Sequence, residues 1–131
     1  MNGNGFRKWK PVSDVPEEMY LEGLYNDYEG FRLLLRGHGD QARMLRIAFD
    51  AVLAYRGIDE GDLISYPRND EDEGLGRWGF FIVSSSSFLQ WFCQTSQNIH
   101  PPKDTVHYAI YTSEDCIDIL SACPPSSEWL N

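Results

Sequence analysis

The stretch from Arg77 to Cys93, RWGFFIVSSSSFLQWFC, constrains the fold more than any other part of the chain. Gly79-Phe80-Phe81-Ile82-Val83 is a short apolar run of aromatic and β-branched residues, the pattern of a buried strand. Four serines follow, and the last of them opens Ser87-Phe88-Leu89-Gln90, the spacing of a capping box. In that arrangement the Ser87 hydroxyl accepts from the Gln90 N–H and the Gln90 side chain reaches back. Phe88, Trp91 and Phe92 recur at i, i+3 and i+4, so a helix here presents one aromatic face. A strand, a serine turn and an aromatic helix are therefore expected to form the centre of the domain.

At 131 residues the chain has the length of one domain, which buries roughly two-thirds of its unfolded surface. No apolar run approaches the ~20 residues of a membrane-spanning helix, and no apolar segment follows the charges at the start of the chain. Three cysteines, Cys93, Cys116 and Cys123, form no CxxC pair and are expected as reduced thiols of a cytoplasmic protein. The net charge of −9 argues against nucleic acid as a partner, because phosphate contacts need clustered lysine and arginine. The acidic residues are concentrated at Asp59, Glu60, Asp62, Asp70, Glu71, Asp72 and Glu73. Such a segment can steer association with a basic partner, or simply solvate a loop.

Residues 1–18 hold Pro11 and Pro16 and are expected as an irregular N-terminal segment anchored by Trp9, with residues 19–131 forming the domain. Met19–Tyr28 suggests a short edge strand. Phe31–Arg36 and Met44–Asp50 are two alternating runs around Gly37-His38-Gly39-Asp40-Gln41, which predicts a β-hairpin. Its apolar side is Phe31, Leu33, Leu35, Leu45, Ile47 and Phe49; its other side carries Arg32, Arg36 and Arg46, expected to pair with the acidic segment in preference to forming an anion site. Ala51–Ile64 suggests a strand end followed by a turn, and residues 67–76 an acidic loop without calcium-loop spacing. Val106–Thr112 and Cys116–Leu120 predict a second hairpin beside Phe80–Val83, with Pro124-Pro125 closing the regular structure and Trp129 packing back. The fold class that follows is α+β, a mainly antiparallel sheet with one or two short helices.

Few residues suggest chemistry. The serine run lacks G-x-S-x-G, so its expected work is turning and capping. His38, His100 and His107 have no zinc-type spacing to a cysteine, no glycine-rich phosphate loop occurs, and neither metal nor cofactor is expected. Arg56, Asp59 and Glu60 have the spacing of a bidentate turn clasp. With His107 and Tyr108, Arg56 and Glu60 could instead line a ligand or catalytic pocket, which perturbed titration would mark.

Tyr55-Arg56-Gly57-Ile58-Asp59-Glu60, Trp78-Gly79-Phe80-Phe81-Ile82-Val83, Ser87-Phe88-Leu89-Gln90-Trp91-Phe92 and His107-Tyr108-Ala109-Ile110-Tyr111-Thr112 resemble a group of small uncharacterised bacterial proteins. That group looks like the one whose members occur near polymorphic toxins and are suspected immunity proteins. The resemblance runs from about residue 28 to residue 125 and brings no catalytic residues. It implies a soluble intracellular protein, monomer or homodimer, that binds another protein without being an enzyme. A basic toxin masked by the acidic segment is the partner so implied. The rival expectation is the pocket around Arg56, Glu60 and His107.

Overall fold

The computed structural model describes residues 5–37, 43–59, 78–99, 101–112 and 115–130, with Asp59 described by its backbone alone. They form two antiparallel sheets packed face to face and one α-helix. Strands β2 (Met19–Asp27), β3 (Gly30–Gly37) and β4 (Met44–Phe49) form a meander in the smaller sheet. The predicted hairpin is β3–β4, with Phe31 opposite Phe49, Leu33 opposite Ile47 and Leu35 opposite Leu45. All six of these side chains are buried, because a period of two sends every second residue to one face. Arg32, Arg36 and Arg46 share the outer face as expected, and each pairs with a carboxylate of its own sheet or turn: Arg32 with Asp27 and Glu29, Arg36 with Glu22, Arg46 with Glu128.

The larger sheet contains β1 (Gly5–Lys8), β5 (Val52–Asp59), β6 (Phe80–Ser84), β7 (Val106–Tyr111) and β8 (Asp115–Ser121), in the order β1-β6-β7-β8-β5. The hairpin β7–β8 lies beside β6, as the sequence predicts. The sheet has two covered faces, which is why β7 and β8 are buried almost throughout instead of alternating. Tyr108, Ile110, Ile117 and Ile119 belong to the face that meets the smaller sheet, where the Tyr108 ring lies 5.5 Å from Phe49 and 5.0 Å from Trp9. His107, Ala109, Tyr111, Asp118 and Leu120 belong to the other face, on which the helix α1 (Ser87–Thr95) lies. Gly79 meets the end of β7 at close quarters: its carbonyl accepts from the Tyr111 N–H at 2.7 Å, and a Cβ there would strike the Tyr111 carbonyl oxygen.

Several elements depart from the sequence reading. The architecture is richer in strand than the term α+β suggests, with a single α-helix and one 3₁₀ turn (Pro102–Asp104) among the described residues. Within residues 1–18, expected as irregular, Gly5–Lys8 forms β1 along β6, with Phe6 opposite Val83. Arg56 and Gly57 lie inside β5, which runs to Asp59, and the turn expected after it lies outside the described residues. Pro124-Pro125 does not end the regular structure: β9 (Ser126–Leu130) follows and pairs with β4, placing Glu128 opposite Arg46. Proline removes only its own N–H from a ladder, so a strand can begin directly after it. Trp129 packs back as expected, donating to Asp14 at 2.8 Å and lying 4.0 Å beneath the Arg43 guanidinium.

Candidate functional site

The site begins with the connection from β6 to α1. Ser84 closes the strand, Ser85 turns the chain with φ +52°, and Ser86 takes the N-cap with extended backbone. The cap lies one residue earlier than the sequence spacing predicts, so Ser87 is the first helical residue. The Ser86 hydroxyl accepts from the Leu89 N–H at 2.9 Å, satisfying one of the donors that a helix start leaves without a partner. The apolar face is also turned relative to expectation. Phe88 and Cys93 are buried against the sheet, whereas Trp91 is 55% exposed and stacks on Phe88 with ring centres 5.9 Å apart.

Beneath the cap lies a chain of polar groups. Ser86 Oγ is 2.6 Å from His107 Nδ1, and His107 Nε2 is 2.7 Å from Asp118 Oδ1. The Tyr111 hydroxyl donates to the same Oδ1 at 2.8 Å, and Arg56 Nε donates to Oδ2 at 3.2 Å. Sheet register assembles the group. Asp118 stands directly opposite Ala109 on β7 and opposite Arg56 on β5. The small Ala109 leaves room above it, and His107 and Tyr111 are its diagonal neighbours two residues to either side, within reach for long side chains. Ser86, His107 and Asp118 are 4%, 1% and 2% exposed, whereas the Arg56 side chain is 44% exposed. The chain of contacts therefore runs from the sheet interior to the surface.

The donor and acceptor roles follow from Asp118. Burial pushes its carboxyl up, but the hydrogen bond and charge of His107, the Tyr111 hydroxyl and the charge of Arg56 outweigh burial, and its pKa lies below the ordinary 3.8. An ionised carboxylate only accepts, so His107 Nε2 carries the proton that it gives to Asp118. When the imidazole is neutral, Nδ1 is the acceptor, and the Ser86 hydroxyl donates to it while accepting from Leu89. Such a chain can perform two tasks: it ties α1 to the sheet, and it orders protons as a hydroxyl–imidazole–carboxylate relay does.

Above the relay is a cationic and aromatic surface. The Phe88 ring meets His107 edge-on at 5.6 Å, and the Arg56 guanidinium lies 4.3 Å over Phe88. Trp91 and Arg56 thus flank one buried ring, and each is held by a group that is itself fixed from below.

Of the four residues expected to line a pocket, the structure brings Arg56 and His107 together and separates Tyr108, while Glu60 lies outside the described residues. Arg56 and His107 meet through Asp118 and Phe88. Tyr108 points to the opposite face, into the core between the sheets, where burial raises its phenol pKa. The expected Arg56–Asp59–Glu60 clasp falls on side chains outside the described residues. The Arg56 guanidinium meets Asp118, which stands directly across from it in the sheet. Glu60, Asp62, Asp70, Glu71, Asp72 and Glu73 lie outside the described residues, as do His38 and His100. Among the described residues no group of three or more histidine, cysteine or acidic side chains is placed to hold a metal ion, and no helix is long and apolar enough to cross a membrane. Cys93 and Cys116 are buried free thiols, and Cys123 is exposed.

Sequence reasoning missed Ser86 and Asp118. The signal for Asp118 was present in Ile117-Asp118-Ile119, a carboxylate inside an apolar run, since such a group is almost never fully buried without partners. No family model, no curated protein and no solved structure matches this chain.

Proposed function

We propose that the protein is a non-enzymatic binding module that occludes a basic protein partner, in the manner the resemblance to immunity proteins implies. The observation that carries this reading is the pairing of Trp91 and Arg56 at the surface over Phe88. Tryptophan and arginine dominate binding hot spots, because each gives a large contact area at a small ordering cost when its rotamer is already fixed. Here Arg56 is held by Asp118 and Phe88 by His107. The net charge of −9 favours a basic partner and fast, salt-sensitive association, to which Asp70, Glu71, Asp72 and Glu73 contribute by sequence.

Affinity capture at low and high salt, followed by titration with the purified partner, tests the reading. Trp91→Ala should weaken binding by roughly 30-fold or more, the effect of losing about 2 kcal/mol at a hot spot. Neutralising Asp70, Glu71, Asp72 and Glu73 together should slow association and flatten its salt dependence while leaving the melting temperature in place. A partner that binds the Trp91→Ala protein undiminished contradicts the proposal.

The convergence of Arg56 and His107 on Asp118 favours a second reading, in which this side of the larger sheet carries chemistry on a small ligand.

A further inference from the structure

Ser86, His107 and Asp118 form a hydroxyl–imidazole–carboxylate chain, with the ring's Nδ1 toward the serine and Nε2 toward the carboxylate. We infer that Ser86 is an acyl-accepting nucleophile toward small carboxylic esters, with His107 as its general base and Asp118 and Tyr111 as positioning residues. The inference rests on the second reading above and names its substrate class. Three observations carry it. Both links of the chain are short, 2.6 Å at Ser86 Oγ and 2.7 Å at Asp118 Oδ1, so serine and base are already within proton-transfer reach. The Leu89 N–H donates to Ser86 Oγ, so with His107 neutral the hydroxyl proton is free to point to Nδ1, the direction general-base activation needs. Asp118 accepts from both Nε2 and Tyr111 while Arg56 fixes its second oxygen, so the imidazole is held in one tautomer.

The serine also sits on a strand-to-helix turn whose neighbours Ser85 and Ser87 are exposed, so it lies one residue beneath solvent. In the reaction Ser86 Oγ bonds to the ester carbonyl carbon and its proton passes to His107 Nδ1. The carbon–oxygen bond to the leaving group then breaks, and the departing alcohol takes that proton. Water attacks the acyl-serine, gives a proton to Nδ1 and receives the carbonyl carbon, and the proton returns to Ser86 as the carboxylic acid leaves. Ester and water become acid and alcohol, and no other reactant is consumed.

A fluorophosphonate probe tests this on the full chain, because Ser86 would displace fluoride and keep the phosphonyl group as a mass added at one residue. Peptide mapping should place that mass on Ser86. The labelling rate should fall as the pH is lowered, because a protonated imidazole cannot act as a general base. His107→Gln should slow labelling by roughly 100-fold or more, while Ser84→Ala should leave it unchanged. The pH profile of the wild-type protein decides the matter if His107→Gln does not fold. Absence of labelling, labelling at another serine, or a rate indifferent to pH overturns the inference. A raised melting temperature with phosphate or acetate but no labelling overturns the inference and keeps a ligand site. Neither labelling nor a shift overturns both.

Discussion

The two sheets use arginine in opposite ways. On the outer face of the smaller sheet Arg36 meets Glu22 and Arg46 meets Glu128, each pair with both side chains about a third to a half exposed. On the larger sheet Arg56 is similarly exposed, but its partner Asp118 is buried and shared with His107 and Tyr111. Water and salt compete freely for the first kind of pair, so it contributes little to stability. In the second, the carboxylate is the common acceptor of a buried network, and removing it strands donors that water cannot reach. Charge on the smaller sheet keeps its face wet and in register, whereas charge on the larger sheet joins its interior to the surface where Trp91 is displayed.

Substitutions that interrupt one network and not the other sharpen this contrast. Asp118→Ala should have the largest effect, about 3–5 kcal/mol of lost stability in urea unfolding, because the His107 Nε2–H and the Tyr111 hydroxyl lose their acceptor inside the protein. Ser86→Ala should cost about 2–3 kcal/mol, combining a lost N-cap with an unpartnered His107 Nδ1. Arg36→Ala should stay within about 1 kcal/mol, and high salt should shrink the difference further. A large effect at Arg36, or a small one at Asp118, would erase the distinction between the sheets.

The acid limb of stability offers a finer test. The folded-state pKa of Asp118 lies below its ordinary value, so its contribution is fully present above the unfolded pKa of about 3.9. That contribution is lost as pH falls through the depressed folded value, because the unfolded chain then binds the proton first. Asp118→Asn should therefore be less stable than the natural protein at neutral pH and should lose less on acidification. Parallel urea titrations from neutral pH to pH 3 would read the difference, and two curves with equal slopes would remove Asp118 from the acid response.

Those networks also mark how far the sequence could be read. The β3–β4 hairpin was legible because its period-two pattern is local, and every inward residue from Phe31 to Phe49 lies where alternation puts it. The β7–β8 pair was legible as strands, but burial on both faces hides alternation, so nothing in Ile117-Asp118-Ile119 says which face holds the carboxylate. Arg56 and Asp118 meet across 62 residues of sequence, and only the strand register brings them opposite. Strands β1 and β9 are short edge strands whose partners are distant, and the pair Pro124-Pro125 gives the appearance of an end. The N-cap fell one residue from its expected place because four consecutive serines offer equivalent caps. Tertiary contact with His107 singles out Ser86.

The proton order within the relay is the centre of this account, and nitrogen-detected NMR of the His107 imidazole measures it most directly. At neutral pH the Nε2–H tautomer is predicted, with Nδ1 unprotonated and accepting from Ser86, and the Nε2 proton protected from exchange by Asp118. A proton resident on Nδ1, or a ring averaging between tautomers, would contradict an ionised Asp118 as the anchor of the site.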